Sequence, residues 1–163
     1  MGSLDGQVAL ITGAARVNGI GRAVARALAR EGATIAAADV AVTGTRNLGE
    51  VGKYDERAGW QGLPSLVAEL EGMGARAIGA TGDVSRKEDC DRMVAEVVAR
   101  FGRIDILHNN AAAPQGADRN LLWEVPEEAF DLVIAVNVKG TFLMSQAVIR
   151  HMLERGGGGR IIN

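Results

Sequence analysis

Val8-Ala9-Leu10-Ile11-Thr12-Gly13, then Ala14-Ala15-Arg16-Val17-Asn18, then Gly19-Ile20-Gly21, is the stretch that decides the fold. Five uncharged residues running into a glycine read as a strand buried on both faces. Gly19-Ile20-Gly21 opens an amphipathic helix reaching Arg30, with Ile20, Val24, Ala27 and Leu28 on one stripe. A second apolar run, Thr34 to Asp39, closes on an acid eighteen residues past Gly21. Strand, glycine turn, helix, strand, acid is the order that holds a dinucleotide. Glycine lets the backbone approach a pyrophosphate, and the helix start offers unpaired N–H groups and the positive end of its dipole. The alternative is a glycine turn that serves packing alone.

The alternation continues outward from that stretch. Ala75–Thr81 reads as a third strand and Ile104–Asn109 as a fourth. Between them Met93, Val94, Val97, Val98 and Phe101 recur at helical spacing, which predicts a helix over Arg86–Phe101. Ser85 is its expected N-cap, with Glu88 completing a capping box. A long helix is expected over Glu127–Glu154 after Pro126, with Trp123 anchoring its start. Gly156–Gly159 ends it, and Arg160-Ile161-Ile162-Asn163 begins a fifth strand. The expected fold is α/β: a doubly wound, Rossmann-type parallel sheet in three layers. It forms one dinucleotide-binding domain over residues 1–163, incomplete at its fifth strand. Ala41–Gly62 breaks the rhythm, being polar, carrying five glycines and showing no period. It is long for a strand-to-helix connection. It reads either as a flap over a ligand or as a mobile surface insertion.

Bulk properties exclude several classes. Among 163 residues the formal charge is −2, with scattered basic residues and few aromatics. Neither a basic field for nucleic acid nor a stacking platform for bases is present. A single cysteine, Cys90, excludes an internal disulfide framework and fits a reducing compartment. It sits in an amphipathic helix and reads as a packing residue rather than a nucleophile. Met1–Gln7 lacks the features of a signal peptide, and no apolar run approaches the ~20 residues that span a bilayer. A soluble, cytoplasmic protein without membrane partners is expected. His108 and His151 have no partner at metal spacing, so no metal site is read.

Asp39 has a definite job in this picture. Its carboxylate accepts hydrogen bonds from the adenosine ribose hydroxyls of NAD. The extra phosphate of NADP would meet a like charge, at about 4 kcal/mol per pair for ~4 Å and an effective dielectric of ~20. No base immediately follows Asp39, so NAD rather than NADP is expected; Arg16 in the turn is the counter-argument. A plain strand-end turn acid is the other reading of Asp39. Asn110 follows a buried strand at the carboxyl edge of the sheet, where ligands bind in open α/β folds. It reads as a ligand contact or as a side chain closing a turn on nearby backbone. Asn137 falls on a stripe with Phe130, Ile134, Thr141 and Met144, where a buried amide must be satisfied, and an asparagine bonding across to a neighbouring loop is its structural reading.

Thr12-Gly13-Ala14-Ala15-Arg16 with Gly19-Ile20-Gly21 resembles the cofactor loop of the short-chain dehydrogenases/reductases. Gly82-Asp83-Val84 resembles that family's acid after the third strand, which meets the adenine amino group. Asn109-Asn110-Ala111-Ala112 resembles its Asn-Asn-Ala-Gly segment, and Asn137-Val138 its helical catalytic asparagine. The resemblance implies cofactor contacts from Gly13, Arg16, Asn18, Gly19 and Ile20 in the turn. It implies further contacts from Asp39 and Val40, from Asp83 and Val84, and from Asn110. It gives Asn137 a catalytic role, its backbone carbonyl holding a water in a proton relay to a lysine. Two departures stand out. Five residues rather than three separate Gly13 from Gly19, so the loop bulges by two, read here as tolerated; and Ala112 replaces the last glycine.

Hydride exchange with an alcohol or carbonyl needs an acid/base near the substrate oxygen. The family uses a serine and a Tyr-x-x-x-Lys pair, placed after the strand that starts here at Arg160. The one tyrosine of this chain, Tyr54, has Ala58 four residues on and is not that residue. Two functions remain open. One is an NAD(P)-dependent oxidoreductase acting on a small alcohol or carbonyl, homo-oligomeric when complete, of which residues 1–163 alone are inactive. The other is a non-catalytic nucleotide-binding or interaction protein ending at Asn163.

Overall fold

Every residue of strand β1, Val8–Thr12, is buried, and its side chains divide between two cores. Ala9 and Ile11 join Ile35, Ala37 and Ile106 on one face; Val8 and Leu10 join Ala36, Ala38 and Leu107 on the other. That division is the two-residue period of a strand with both faces covered. The computed structural model describes residues 2–47 and 59–163. Strands β2 (Thr34–Asp39), β3 (Ala77–Thr81), β4 (Ile106–His108) and β5 (Arg160–Ile162) complete the sheet in the order β3-β2-β1-β4-β5. All pairings are parallel, with Leu10 beside Ala36 on one side and Leu107 on the other.

Helices α1 (Ile20–Arg30) and α2 (Leu63–Gly72) belong to the Ile11 face. Helices α3 (Lys87–Phe101) and α5 (Thr141–Arg155) belong to the Leu10 face through Met93, Val97, Met144 and Val148. The result is the three-layered, doubly wound Rossmann-type sheet. Helix α2, which the sequence reading passes over, places Leu63, Leu66 and Leu70 in the core and has Pro64 in its first turn. Proline there gives up no helical hydrogen bond.

Several local expectations are corrected. On α1 the buried positions are Gly21 and Ala25, with Val24 and Leu28 partly covered, while Ile20 is 72% exposed and Ala27 is exposed. The cause is Gly21. A methyl group there would lie 2.7 Å from the Gly13 carbonyl oxygen and 2.9 Å from Ala14 Cα. The helix therefore turns its glycine to the strand and Ile20 falls beside it. Gly21→Ala is expected to cost roughly 1–2 kcal/mol, because the Gly13 oxygen and Ala14 Cα are backbone and yield little, and the Asn110 amide nitrogen at 2.8 Å is held by its own hydrogen bonds. Urea unfolding of the variant measures it.

The Ser85–Glu88 capping box does not form. Arg86 is the N-cap residue of α3 without a side-chain cap, and Ser85 donates from both its N–H and its hydroxyl to Asp83 Oδ1, at 2.8 and 2.7 Å. A local turn centred on Asp83 thus outcompetes the cap. Trp123 is 81% exposed and anchors nothing.

The long helix runs Glu127–Arg155 as α4 (Glu127–Val133), a π-helical stretch Ile134–Gly140, and α5. Each wider turn shifts the faces relative to 3.6-residue spacing. The stripe read through Asn137 is not buried at its start: Phe130 is 59% exposed, and Ile134 and Asn137 are exposed, whereas Met144 is fully buried. Gly140 sits under Val84, where a methyl group would come within 2.7 Å of Val84 Cγ2. By length and mean hydropathy this helix is also apolar enough to cross a membrane, which the interrupting Asn137, Lys139 and Gly140 hide from a search for unbroken runs. Its inner side, Leu143, Met144, Ala147, Val148 and Met152, belongs to the core.

Candidate functional site

The carboxyl ends of β1 to β4 open onto one cleft of about 610 Å³. That size lies in the range of small-molecule sites. All ten residues that sequence reading proposes for a cofactor line it: Gly13, Arg16, Asn18, Gly19, Ile20, Asp39, Val40, Asp83, Val84 and Asn110. Asn137 does not. Its side chain accepts the N–H of Ala113, a lining residue, at 2.9 Å, and its backbone carbonyl accepts the Thr141 hydroxyl at 2.8 Å.

The turn after β1 is fixed from both sides. Gly13 has φ +66°, and a methyl group on it would lie 2.7 Å from Ala111 Cα, so the β4 loop passes directly against it. Thr12 Oγ1 accepts the N–H groups of Asn110 and Ala111, both at 3.1 Å. The Asn110 amide nitrogen donates to the carbonyls of Thr12 and Gly13, both at 2.9 Å. Asn110 therefore faces the cleft while tying the segment after β4 to the backbone at the end of β1.

Asp39, 7% exposed, ends β2 at the cleft. Its Oδ2 accepts the Ala15 N–H at 2.9 Å and its Oδ1 the Val40 N–H at 2.8 Å. Burial pushes its carboxyl above the ordinary value; the two amides and nearby Arg16 oppose that without cancelling it. Each oxygen retains a lone pair for a hydroxyl donor. Asp83 lies at the end of β3 with Oδ1 turned to Ser85, and its N–H is held by the Asp89 carboxylate at 3.0 Å. Val84 is buried against Gly140, and its carbonyl accepts the Cys90 thiol at 3.3 Å. Burial, aided by neighbouring carboxylates, pushes that thiol up to about 11, so Cys90 is a packing residue.

Other functional candidates come from the long insertion. Thr45 and Asn47 line the cleft opposite Pro114 and Gln115, and Asn47 Oδ1 accepts the Gln115 N–H at 2.8 Å. The described part of the insertion thus bridges to the loop after β4. Polar, aperiodic sequence gave no sign of which residue would make that bridge. Tyr54 lies outside the described residues.

A parallel doubly wound sheet whose glycine turn, strand-end acids and Asn-Asn-Ala segment converge on the carboxyl edge defines a Rossmann-class nucleotide fold. The short chain dehydrogenase family profile matches residues 58–163. The chain belongs to the short-chain dehydrogenase/reductase family. It is 42% identical to a sorbitol dehydrogenase of Cereibacter sphaeroides over 98% of this chain and 52% of that one. It is 39% identical to a D-threitol dehydrogenase of Mycolicibacterium smegmatis over 95% of this chain and 51% of that one. The crystal structure of an NAD⁺-bound xylitol dehydrogenase superposes with a TM-score of 0.78 at 33% identity, covering 98% of this chain and 52% of that one. The chain spans about half the length of the curated relatives it matches. Members of this family are oxidoreductases that bind nicotinamide cofactors and act on small alcohols or carbonyls.

Proposed function

We propose that this chain forms the cofactor-binding part of an NAD-dependent oxidoreductase that exchanges hydride with a small alcohol or carbonyl compound. The observation that carries the reading is Asp39, buried at the end of β2 in the same cleft as the glycine turn, Asp83 and Asn110. The donor set suits a dinucleotide: backbone N–H groups at the turn for the phosphates, Asp39 for the ribose hydroxyls, Asp83 for the adenine amino group. A nicotinamide dinucleotide, when bound, supplies the hydride acceptor or donor. The chain's own residues hold and orient it, and the Asn47–Gln115 bridge shields it from water.

Residues 1–163 contain no Tyr-x-x-x-Lys pair, and we assign them cofactor binding rather than turnover. Asn137 is the one catalytic candidate among them, as a group that holds a proton-relay water on its carbonyl. That carbonyl also accepts the Thr141 hydroxyl at 2.8 Å. Relatives named for sorbitol, D-threitol and xylitol make sugar alcohols the substrates to test first. Phe142, Ile149 and Leu153 form an exposed apolar strip on α5 that supports a homo-oligomer. Calorimetric titration with NAD and NADP tests the cofactor reading; NAD is expected to bind more tightly. Tighter binding of NADP would overturn the preference and shift the selecting role from Asp39 to Arg16.

A further inference from the structure

Val17, one of the two residues added to the glycine turn, and Ala15 before it are held by side chains from outside the turn. The Ala15 carbonyl accepts Trp60 Nε1–H at 2.6 Å, while the Ala15 N–H goes to Asp39. The Val17 carbonyl accepts Arg22 Nη1–H at 2.7 Å. The remainder of the Arg22 guanidinium forks onto Glu69 of α2, at 2.7 and 2.8 Å, and its carbon lies 4.9 Å from the centre of the Trp60 ring. Such a bidentate pair stacked on an aromatic face is the geometry in which arginine holds its place best. A long-range frame thus surrounds a loop that spacing alone describes as a bulge.

The consequence follows from peptide planarity. In a trans peptide the C=O and the following N–H point in opposite directions. Trp60 holds the Ala15 carbonyl, so the Arg16 N–H is turned the other way; Arg22 does the same for the peptide between Val17 and Asn18. Arg16 and Asn18 line the cleft, and Trp60, Arg22 and Glu69 do not. Either peptide, if flipped, would remove an N–H donor from the cleft side and turn a carbonyl oxygen toward it. An anion favours successive N–H groups and is repelled by carbonyl oxygens.

We infer that Trp60 and Arg22 are positioning residues that keep the enlarged turn's N–H groups directed at the pyrophosphate of the cofactor. The inference rests on the dinucleotide reading above. It departs from the view of Val17 and Asn18 as a tolerated bulge.

The test uses the full protein, with ADP-ribose as the phosphate-bearing probe and adenosine as the probe without phosphate. Trp60→Phe keeps an aromatic ring, though a smaller one, beside Arg22 and removes the Nε1–H donor. Arg22→Gln removes the fork and the charge. Each variant is expected to weaken ADP-ribose binding about 5- to 10-fold by calorimetry, the effect of one or two lost hydrogen bonds. Adenosine binding, followed by NMR, should change less than about twofold, since it makes no phosphate contact. Unchanged ADP-ribose affinity in both variants overturns the inference, as does an equal loss for both probes, which would mean general collapse of the cleft. If Arg22→Gln does not fold, Trp60→Phe decides alone. Absence of NAD and ADP-ribose binding by the unmodified protein would instead overturn the dinucleotide reading itself.

Discussion

Asp39→Asn should cut the preference for NAD over NADP by about 10- to 100-fold. An ionised Asp39 at the end of β2 opposes a phosphate on the adenosine ribose with about 4 kcal/mol at ~4 Å and an effective dielectric of ~20. Mobile ions, small shifts of the ligand and nearby Arg16 reduce this, leaving about 1.4–2.8 kcal/mol, which is one to two powers of ten. Asparagine keeps an acceptor for the Ala15 N–H and loses the charge. The fold should tolerate the change. Burial raises the Asp39 pKa, so this group contributes stability that is fully present below its unfolded pKa and lost as pH rises through its folded pKa. At neutral pH its charge already weighs against the native state, and its removal offsets in part the bond lost to the Val40 N–H, which then faces an amide NH2. The measurement is the ratio of Kd values for NADP and NAD in the parent and the variant. A ratio that stays put would mean that Asp39 is a turn acid and selects nothing.

The sheet and most of the cleft were legible in the sequence for a simple reason. Strands buried on both faces must be apolar throughout, and the turns at their carboxyl ends must carry the glycines and acids that stand out against them. Hence β1, β2 and the residues from Gly13 to Asn110 come together as expected. What escaped depends on tertiary contact. Helix α2 has apolar residues at helical spacing, Leu63, Leu66, Val67 and Leu70, with a proline in its first turn, and a search past the glycines of the insertion would have found it. The rotation of α1 follows from how closely Gly21 meets Gly13, which no periodicity in α1 reports. Phe130, Ile134 and Asn137 face outward together, and of that stripe it is Met144, past the π-helical turns, that is fully buried. The anchors of the enlarged turn join residues more than forty apart, Ala15 with Trp60 and Arg22 with Glu69, so neither partner's local sequence announces the other.

Asp105→Asn should lower stability by about 3 kcal/mol at neutral pH, and the difference should shrink in acid. Asp105 precedes β4 at the edge of the sheet opposite the cleft and is 5% exposed. Its Oδ2 accepts the Val8 N–H at 2.9 Å and Arg103 Nε–H at 2.8 Å. Its Oδ1 accepts Arg103 Nη2–H at 2.6 Å and Arg155 Nη1–H at 2.7 Å. One carboxylate therefore joins the start of β1, the approach to β4 and the last turn of α5. Burial by itself would raise its pKa, but the two guanidinium groups and the Val8 amide together outweigh burial and hold it below the ordinary value. An amide in its place can accept only through one atom and turns an N–H toward arginine donors. Arg155, 20% exposed at its side chain, then loses its carboxylate partner. Breaking a buried pair from one side costs roughly 3–5 kcal/mol, and the exposure of Arg103 places this case at the low end. Because the folded pKa is depressed, the stabilisation is present above the unfolded pKa of about 4 and is lost as pH falls through the folded value. Urea unfolding of both proteins from pH 7 down to well below the unfolded pKa of about 4 follows this directly, with the gap steady above that value and closing beneath it. A gap that stays constant or widens below about pH 4 would show that the loss at Asp105 is one of packing and not of charge.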